Sequence, residues 1–500
     1  MLIESDRLMP LTITLLFAGP LIYFIGNVIY NLFFHPLRSY PGPILWRATL
    51  LTWNYHMYTG RLTQTIAALH TQYGPVIRTS PNDLSYATAQ AWEDIYAHHP
   101  GKQEFPKGPQ RVQKPPNGIP NILGAEKANH ARYRRLLSHA FSEKGMREQE
   151  GLIKKYVDLF IDRLGEVAKA GQPTEMVQWY NMITFDIIGD LSWGEPFNCL
   201  KDRKMHEWIP AVLGQLKFVM LSNLVRDYGL DFLIPYFVPK DVQESRRTNY
   251  GYAQQKVEDR AQLGAARGDF WDRILIKSAD DNVGGEGMSK GEMLNNASVL
   301  VIGGSETIST TLSGATYLLL THPRILKKLV DEVRTSFKTD DEIDFLSVRK
   351  LPYQLAVLEE TMRFYPPVPF VFPRVPPKGG AMVCGQWIPE GTTVFVSAQA
   401  LHRSPQYFTR SADFVPERWL DEAPAEFKND NKGAFQPFGM GTRNCIGRNL
   451  AYAEMRLILA KMLWHYDFEL AERTGDWFDQ MEWGLWHKNP LMVKLKVANR

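Results

Sequence analysis

The 500-residue chain has only three cysteines, Cys199, Cys384 and Cys445. So few thiols exclude a disulfide framework and are typical of a protein in a reducing compartment. The formal net charge is only +3, which gives no support for a nucleic-acid partner. The chain also lacks a Gly/Ser-rich linker, an internal repeat and a low-complexity run. With 44% hydrophobic residues it can bury a large core, so we expect one large catalytic domain.

A nucleotide-binding domain is also missing from the pattern. The glycine pair in Gly439-Met440-Gly441 lacks the third glycine and the strand-to-helix context of a dinucleotide fingerprint. Too few residues follow the last predicted helix to form a flavin domain. We therefore expect that any electrons the protein uses come from a separate reductase.

The one long hydrophobic run lies at the N-terminus, where residues 11–34 are almost all apolar. A run of this length can cross a hydrocarbon layer of roughly 30 Å. A cleaved signal peptide is the alternative, but the run is long for one and has no clear cleavage site. Arg38 and Arg47 follow the run and favour a cytosolic location for the rest of the chain. We expect a short tail, a single-pass transmembrane anchor, a proline-rich hinge and a catalytic domain, at residues 1–10, 11–34, 35–46 and 47–500.

Cys445 stands in a segment with the spacing Phe438-x-x-Gly441-x-Arg443-x-Cys445-x-Gly447, directly before an apolar helical pattern. A thiolate held in this way is a suitable axial ligand for haem iron. Gly441 and Gly447 would allow close backbone approach, and Arg443 would donate to a haem carboxylate. Phe438 would restrict water near the sulfur, and the N-terminus of the following helix would favour the thiolate. The alternative is a buried structural cysteine.

A long buried helix is predicted from Ser289 to Thr321. Its start carries the capping-box pattern Ser289-Lys-Gly-Glu292, and His322-Pro323 ends it. The middle of the pattern is almost entirely apolar or small, which predicts burial on all sides.

Two adjacent glycines, Gly303 and Gly304, interrupt this helical pattern at a cost of about 1 kcal/mol each relative to alanine. They predict a local kink, with the Thr307 hydroxyl bonded to the Gly303 carbonyl and a groove wide enough for dioxygen. Glu306 and Thr307 are then placed to relay protons during dioxygen activation. The alternatives are simple back-bonding within the helix for Thr307 and a buried ion pair with a distant base for Glu306.

Four ordered motifs resemble the cytochrome P-450 haem-thiolate superfamily. They are Gly303 to Thr307, Glu360-Thr-Met-Arg363, Pro416-Glu-Arg418-Trp419 and the cysteine segment. The resemblance extends from about residue 35 to residue 498, and the text at 136–142 and 184–189 is similar to fungal microsomal members. The chain also resembles hydroxylases of trichothecene and other secondary-metabolite pathways. The family commonly has Phe where Trp419 stands and Asp where Glu306 stands.

The resemblance implies an α+β, mainly α fold, in which a large helical domain with a smaller β-region binds haem b through the Cys445 thiolate. It implies a structural role for Glu360, Arg363 and Arg418, which would form a buried network that supports the cysteine loop. Arg134, Arg374 and His130 align with positions that bind the haem propionates, although the family commonly has Trp at His130. The alternative for the segment from His130 to Arg135 is a solvated basic face.

The resemblance also places an irregular loop, residues 103–123, over the haem. Side chains after the Glu360 helix and near the C-terminus would line a substrate pocket with Gly303, namely Val368, Phe370, Val371 and Leu485. These residues are mostly apolar, which favours a lipophilic substrate. An acidic partner would dock near Lys432 and Arg448.

Taken with the membrane anchor, the resemblance implies a monooxygenase of the endoplasmic reticulum membrane with a cytosolic catalytic domain. It would insert one oxygen atom of O2 into a fungal secondary metabolite such as a terpenoid or polyketide. Electrons would come from an NADPH-dependent flavoprotein reductase, with cytochrome b5 as a possible second donor. Two alternatives stay open: a haem-thiolate isomerase or dehydratase that needs no reductase, and a non-catalytic haem protein that binds a lipid or senses a gas.

Overall fold

Helices account for most of the described chain. The structure is a computed structural model that describes residues 18–108, 115, 117–238, 240–264, 267–279, 287–471 and 475–499. The helices follow one another as α1 (Ala18–Phe34), α2 (Ile44–Ala48), α3 (Leu51–Tyr58), α4 (Leu62–Tyr73), α5 (Ala89–Tyr96), α6 (Lys127–Leu137), α7 (Glu143–Ala170), α8 (Met176–Trp193), α9 (Cys199–Asp202), α10 (Trp208–Arg226), α11 (Ile234–Phe237), α12 (Lys240–Gln262), α13 (Asp272–Ala279), α14 (Lys290–Thr321), α15 (Pro323–Ser336), α16 (Pro352–Phe364), α17 (Ala398–His402) and α18 (Arg448–His465).

The strands are short and form small sheets. They are β1 (Val76–Ser80), β2 (Asp83–Tyr86), β3 (Thr174–Glu175), β4 (Ala381–Val383), β5 (Gln386–Ile388), β6 (Thr393–Val396), β7 (Tyr466–Leu470), β8 (Met481–Glu482), β9 (Trp486–His487) and β10 (Met492–Val497). One sheet has the order β1-β2-β6, with β2 and β6 parallel, and another has the order β3-β10-β7. The pairs β4-β5 and β8-β9 are antiparallel hairpins. The predicted fold, mainly helical with a smaller β-region, is confirmed.

Helix α14 forms the centre of the helical part. It packs along α8 and also against α16 and α18. The predicted bounds are confirmed, because Ser289 caps the helix and forms the full capping box with Glu292, and the helix ends at Thr321. At 1.5 Å per residue its length is about 48 Å.

Close packing around α14 depends on small residues. A Cβ atom on Gly304 would lie 2.6 Å from the Cδ1 atom of Ile188 in α8. A Cβ atom on Gly314 would lie 2.6 Å from a ring carbon of Tyr365, just after α16. These glycines let the neighbouring elements approach α14 more closely than a side chain would permit.

The predicted membrane anchor is only partly described, because its first residues, 11–17, lie outside the described part of the chain. The described part is α1, an apolar helix of 17 residues that ends in a π-helical turn, Tyr30–Phe34. Its side chains are largely exposed, including Ile22 and Tyr23. Among the described residues, α10 is the one helix that is long and apolar enough to span a membrane, by length and composition alone.

The end of α1 and the segment after it are attached to the first sheet. Arg78 in β1 donates to the carbonyl of Asn31 at 2.8 Å, and its backbone N–H donates to the carbonyl of Pro41 at 2.7 Å. Leu37 lies in the main core with 1% exposure. The proline-rich segment is therefore fixed against the catalytic domain at several points.

Candidate functional site

The cysteine loop adopts a conformation that only glycine permits at one position. Gly441 has φ +76°, and a Cβ atom there would lie 1.9 Å from the carbonyl oxygen of Tyr96. The loop closes with a bond of 2.8 Å from the backbone N–H of Cys445 to the carbonyl of Phe438. Gly447 differs: its φ is −84°, and within the described part of the chain the nearest atoms to an added Cβ, from Cys445 and Phe141, lie 3.9 Å away. The expected need for glycine therefore holds at Gly441 but not, among the protein atoms, at Gly447.

The Cys445 side chain is accessible to solvent although many protein atoms surround it, as expected for a group that lines an internal opening. Burial raises the pKa of the thiol above its ordinary value, while the Gly447 N–H, Arg134 and Arg448 act in the opposite direction. The N–H at the helix start therefore lowers the pKa as expected, but the desolvation of the thiolate has the larger effect and raises it. A coordinated metal ion would reverse the balance, because it deprotonates a thiol outright.

The predicted propionate partners lie together, but two of them bond to the protein itself. Arg443 donates to the Glu104 carboxylate at 2.5 Å and to the carbonyl of Ala125 at 2.9 Å. Arg134 donates to the carbonyl of Asn444 at 2.7 Å and also to its side-chain oxygen. Both arginines therefore stabilise the loop in this structure.

Arg374 is placed differently. It is 5% exposed, and its Nη1 atom has no hydrogen-bond partner within the described residues. A buried donor without an acceptor is costly. An anion bound beside Arg374, such as a haem carboxylate, would accept a hydrogen bond from this Nη1 atom.

Lys107 completes the positive cluster, and the sequence analysis did not select it. A β-bridge places Lys107 beside Arg374. Burial, followed by the charges of Arg374 and Arg443, lowers the pKa of Lys107 to about 7. Burial and the charges of Arg443, Lys107 and Arg134 lower the pKa of His130 to about 4. The cluster has more positive charge than Glu104 can neutralise, so its residues fit the two carboxylates of a haem.

The exposed stretch of α14 carries the predicted threonine. The Thr307 hydroxyl donates to the carbonyl of Gly303 at 2.8 Å, as predicted. Within the described residues, a Cβ atom on Gly303 would meet nothing within 4 Å, so no described side chain covers the helix surface there. The two glycines do not divide α14, which is one continuous helix from Lys290 to Thr321. A kink that breaks the helix at this point is therefore not observed.

Glu306 forms a buried ion pair, which is the alternative considered from the sequence. Its Oε2 atom lies 2.5 Å from the Nζ atom of Lys488, and the two side chains are only 4% and 5% exposed. Lys488 also donates to the Thr310 hydroxyl at 3.1 Å. The sequence analysis missed Lys488, because 182 residues separate it from Glu306 and no local pattern connects them.

The predicted network around Glu360 is present. Glu360 and Arg363 are fully buried and joined by two bonds of 2.8 Å, and Arg418 donates to Glu360 at 3.2 Å. Arg418 also pairs with Asp430 at 1% exposure on both sides. Each charge in the network is therefore compensated without water.

Trp419 belongs to the same network. Its indole N–H donates to the Oε2 atom of Glu360 at 2.8 Å, a bond that the family's usual phenylalanine cannot make. Its ring lies 4.7 Å from that of Phe435, at the start of the cysteine loop. The departure from the family pattern thus adds a direct connection between network and loop.

The predicted pocket residues are dispersed. Phe370 is half-buried, and its ring lies 6.1 Å from Phe395, in a second apolar cluster around Trp53. Val371 packs on the main core, whereas Val368 and Leu485 are partly exposed. Their contact with a substrate stays a prediction, and part of the loop predicted to cover the haem, 109–114 and 116, lies outside the described residues.

Comparison with known proteins agrees with this arrangement. The family profile described as Cytochrome P450 matches residues 40–495. The versicolorin B desaturase of Aspergillus parasiticus is 49% identical over 485 residues, which is 97% of this chain and 97% of the relative. A cytochrome P450 monooxygenase of Penicillium aethiopicum is 48% identical, over 95% of this chain and 89% of the relative. The averantin hydroxylase of Dothistroma septosporum is 46% identical, again over 95% and 89%.

The match covers nearly the whole chain and includes all four motifs. The family uses haem with an axial cysteine thiolate, and its members named here are enzymes of fungal secondary metabolism. The chain therefore belongs to the cytochrome P450 family and is a haem-dependent monooxygenase.

Proposed function

We propose that this protein oxidises a lipophilic fungal secondary metabolite with O2, using electrons that a separate flavoprotein reductase takes from NADPH. The observation that carries the proposal is the Thr307 hydroxyl, held at 2.8 Å from the Gly303 carbonyl beside a bare helix surface. A fixed hydroxyl next to an open space is suited to passing protons to a small ligand.

The residues of the positive cluster would hold the cofactor. Cys445 is the proposed iron ligand, and the unpartnered Nη1 atom of Arg374 would donate to a haem carboxylate. Lys107, which donates to the carbonyl of Leu123, would add its positive charge beside Arg374. Arg443 and Arg134 would contribute after exchanging part of their present bonds. Haem, when bound, supplies the oxidising chemistry, and the protein supplies the ligand, the proton path and the pocket.

The relatives leave two outcomes for the substrate, because one is named a desaturase and another a hydroxylase. Both outcomes begin with removal of a hydrogen atom from a substrate carbon. The pocket decides between them by how it orients the carbon, and Val368, Phe370, Val371 and Leu485 are the proposed lining. Versicolorin B and averantin, after which the relatives are named, are the first candidate substrates.

The proposed setting is the endoplasmic reticulum membrane, with the catalytic domain in the cytosol. The exposed apolar side chains of α1 belong to the apolar run of residues 11–34, which supports the proposed anchor. A reductase would dock near the exposed Lys432 and Arg448, whose charges lie over the rings of Trp419 and Phe438. Cations around a ligand loop suit an acidic electron donor, whether a flavoprotein or cytochrome b5.

The test compares Thr307→Ala with Thr307→Ser in the full-length enzyme, reconstituted with a reductase and versicolorin B or averantin. The alanine variant should keep the carbon monoxide spectrum of the reduced haem. We expect product formed per NADPH to fall about tenfold or more, because positioned proton transfer contributes roughly 10²- to 10⁴-fold. The serine variant keeps the hydroxyl and should remain close to wild type.

A fully coupled alanine variant would refute the proton role of Thr307. Product formation without NADPH would instead identify an isomerase or dehydratase. Cys445→Ala is the matched control for the haem site, since it should lose the red-shifted carbon monoxide band entirely.

A further inference from the structure

We propose that Lys488 is a positioning residue for proton delivery: it holds one oxygen of Glu306, leaves the other free, and connects Glu306 to the β8–β9 hairpin. The inference rests on the proposed function, because it assumes that Glu306 takes part in proton delivery beside Thr307. It is carried by the contacts of Lys488, which lies just after β9.

Lys488 contacts one face of α14. Its ammonium lies 2.5 Å from the Oε2 atom of Glu306 and 3.1 Å from the Thr310 hydroxyl, two residues four apart in sequence. Residues four apart share a helix face, so one lysine fixes both side chains. Gly303 and Thr307 are also four apart and form the adjacent face, which is the open one.

The pair leaves Glu306 with one free acceptor. The Oε1 atom is buried and has no hydrogen-bond partner within the described residues. Because Oε2 is held by the ammonium, Oε1 is the atom at which Glu306 would accept a proton and pass it on. A buried carboxylate keeps its charge only with a compensating cation, which Lys488 provides.

The neighbouring phenol does not compete for this role. Burial, followed by the charge of Glu306, raises the pKa of Tyr365 well above its ordinary value. Tyr365 therefore stays protonated, and its hydroxyl already donates to the Oε1 atom of Gln480 at 2.6 Å. Lys488 is the described cation that contacts Glu306.

The hairpin determines where Lys488 lies. The indole N–H of Trp486 donates to the carbonyl of Pro366 at 2.8 Å, and Gln480 bonds to Tyr365. Both contacts fix the hairpin to the segment that precedes the proposed pocket run. Leu485, a proposed pocket residue, is three residues from Lys488, so a substrate that moves the hairpin would also move the ammonium from Glu306.

The test uses Lys488→Met in the full-length enzyme, with Lys496→Met as control, because Lys496 is exposed and pairs with the surface residue Glu469. We expect Lys488→Met to keep the carbon monoxide spectrum and to form product from versicolorin B or averantin with about tenfold lower yield per NADPH. Lys488→Arg, which keeps the charge but has a larger head group, should retain more coupling than Lys488→Met. Amide hydrogen exchange over residues 481–488 should accelerate in Lys488→Met and not in the control.

A double variant separates positioning from an independent role. If Lys488 acts through Glu306, then Glu306→Gln with Lys488→Met should be no worse than Glu306→Gln alone. The inference would be overturned if the double variant lost coupling by the product of the two single losses. It would also be overturned if Lys488→Met alone kept the wild-type yield of product per NADPH. If Lys488→Met does not fold, the double variant, which leaves no unpaired charge, and Lys488→Arg still decide the question.

The outcomes for Thr307 keep the two proposals apart. An uncoupled Thr307→Ala enzyme with a fully coupled Lys488→Met enzyme refutes only the role of Lys488. A fully coupled Thr307→Ala enzyme refutes the proposed proton path itself, whatever Lys488→Met does.

Discussion

Trp419→Phe tests whether the indole of this chain contributes to the network behind the cysteine loop. Glu360 accepts five bonds, three at Oε1 from Arg363, Val415 and Arg418, and two at Oε2 from Arg363 and Trp419. Phenylalanine keeps a ring against Phe435 but removes one of the two donors to Oε2. Because Glu360 is fully buried, water cannot replace that donor.

A hydrogen bond to a charged group contributes about 1.5–3 kcal/mol, so we expect a loss of that size in the free energy of unfolding. This corresponds to a roughly 10- to 150-fold change in the unfolding equilibrium constant. The assay is a urea titration of the haem-loaded enzyme, followed by the absorbance of its reduced carbon monoxide complex. Trp387→Phe is the matched control, because Trp387 is 58% exposed and lies on the β4–β5 hairpin.

The reasoning would be refuted if Trp419→Phe and Trp387→Phe unfolded with free energies within about 0.5 kcal/mol of each other, the range usual for surface changes. That result would mean that Arg363 and Arg418 alone satisfy the carboxylate. A loss of substrate turnover without loss of stability would also contradict a structural role.

Two further predictions concern the cysteine loop and His70, a buried residue of α4 whose Nε2 atom lies 2.8 Å from the hydroxyl of Ser85 in β2. Gly441→Ala should abolish haem incorporation, because its Cβ would overlap the carbonyl of Tyr96, whereas Gly447→Ala should retain haem; the carbon monoxide spectra of the two variants decide this. Burial lowers the pKa of His70 to about 4, so the folded protein keeps it neutral, and stability is lost as pH falls below the ordinary value of 6.5 toward 4. Between pH 7.5 and pH 5 we expect a loss of about 2 kcal/mol from this group, which His70→Gln should remove in unfolding titrations at both pH values.

Local patterns predicted the local features well. The capping box at Ser289, the end of α14 at Thr321 and the bond from Thr307 to Gly303 all involve residues within four positions of one another. The fold class and the Glu360 network were predicted from ordered motifs, which report a known arrangement rather than contacts read from the chain. The local patterns are reliable because helix geometry determines which residues three or four positions apart contact one another.

Contacts between distant segments could not be predicted in the same way. Lys488 reaches Glu306 across 182 residues, and Arg443 reaches Glu104 across 339. Lys488 is buried because the C-terminal hairpin packs against α14. The periodicity of the sequence contains no information about that packing. The pKa of Cys445 also depends on distant segments: the N–H at the helix start lowers it as predicted, but desolvation by the assembled protein has the larger, opposite effect.

The two adjacent glycines of α14 have opposite consequences for altering this enzyme. At Gly304 any side chain would displace Ile188, so substitution there would damage the fold. At Gly303 a methyl group would meet no atom of the described residues within 4 Å, and we expect it to enter the space proposed for the substrate. We therefore expect a substitution at Gly303 to change which carbon is oxidised while the scaffold keeps its stability. Related enzymes with a larger residue there should differ in selectivity before they differ in folding.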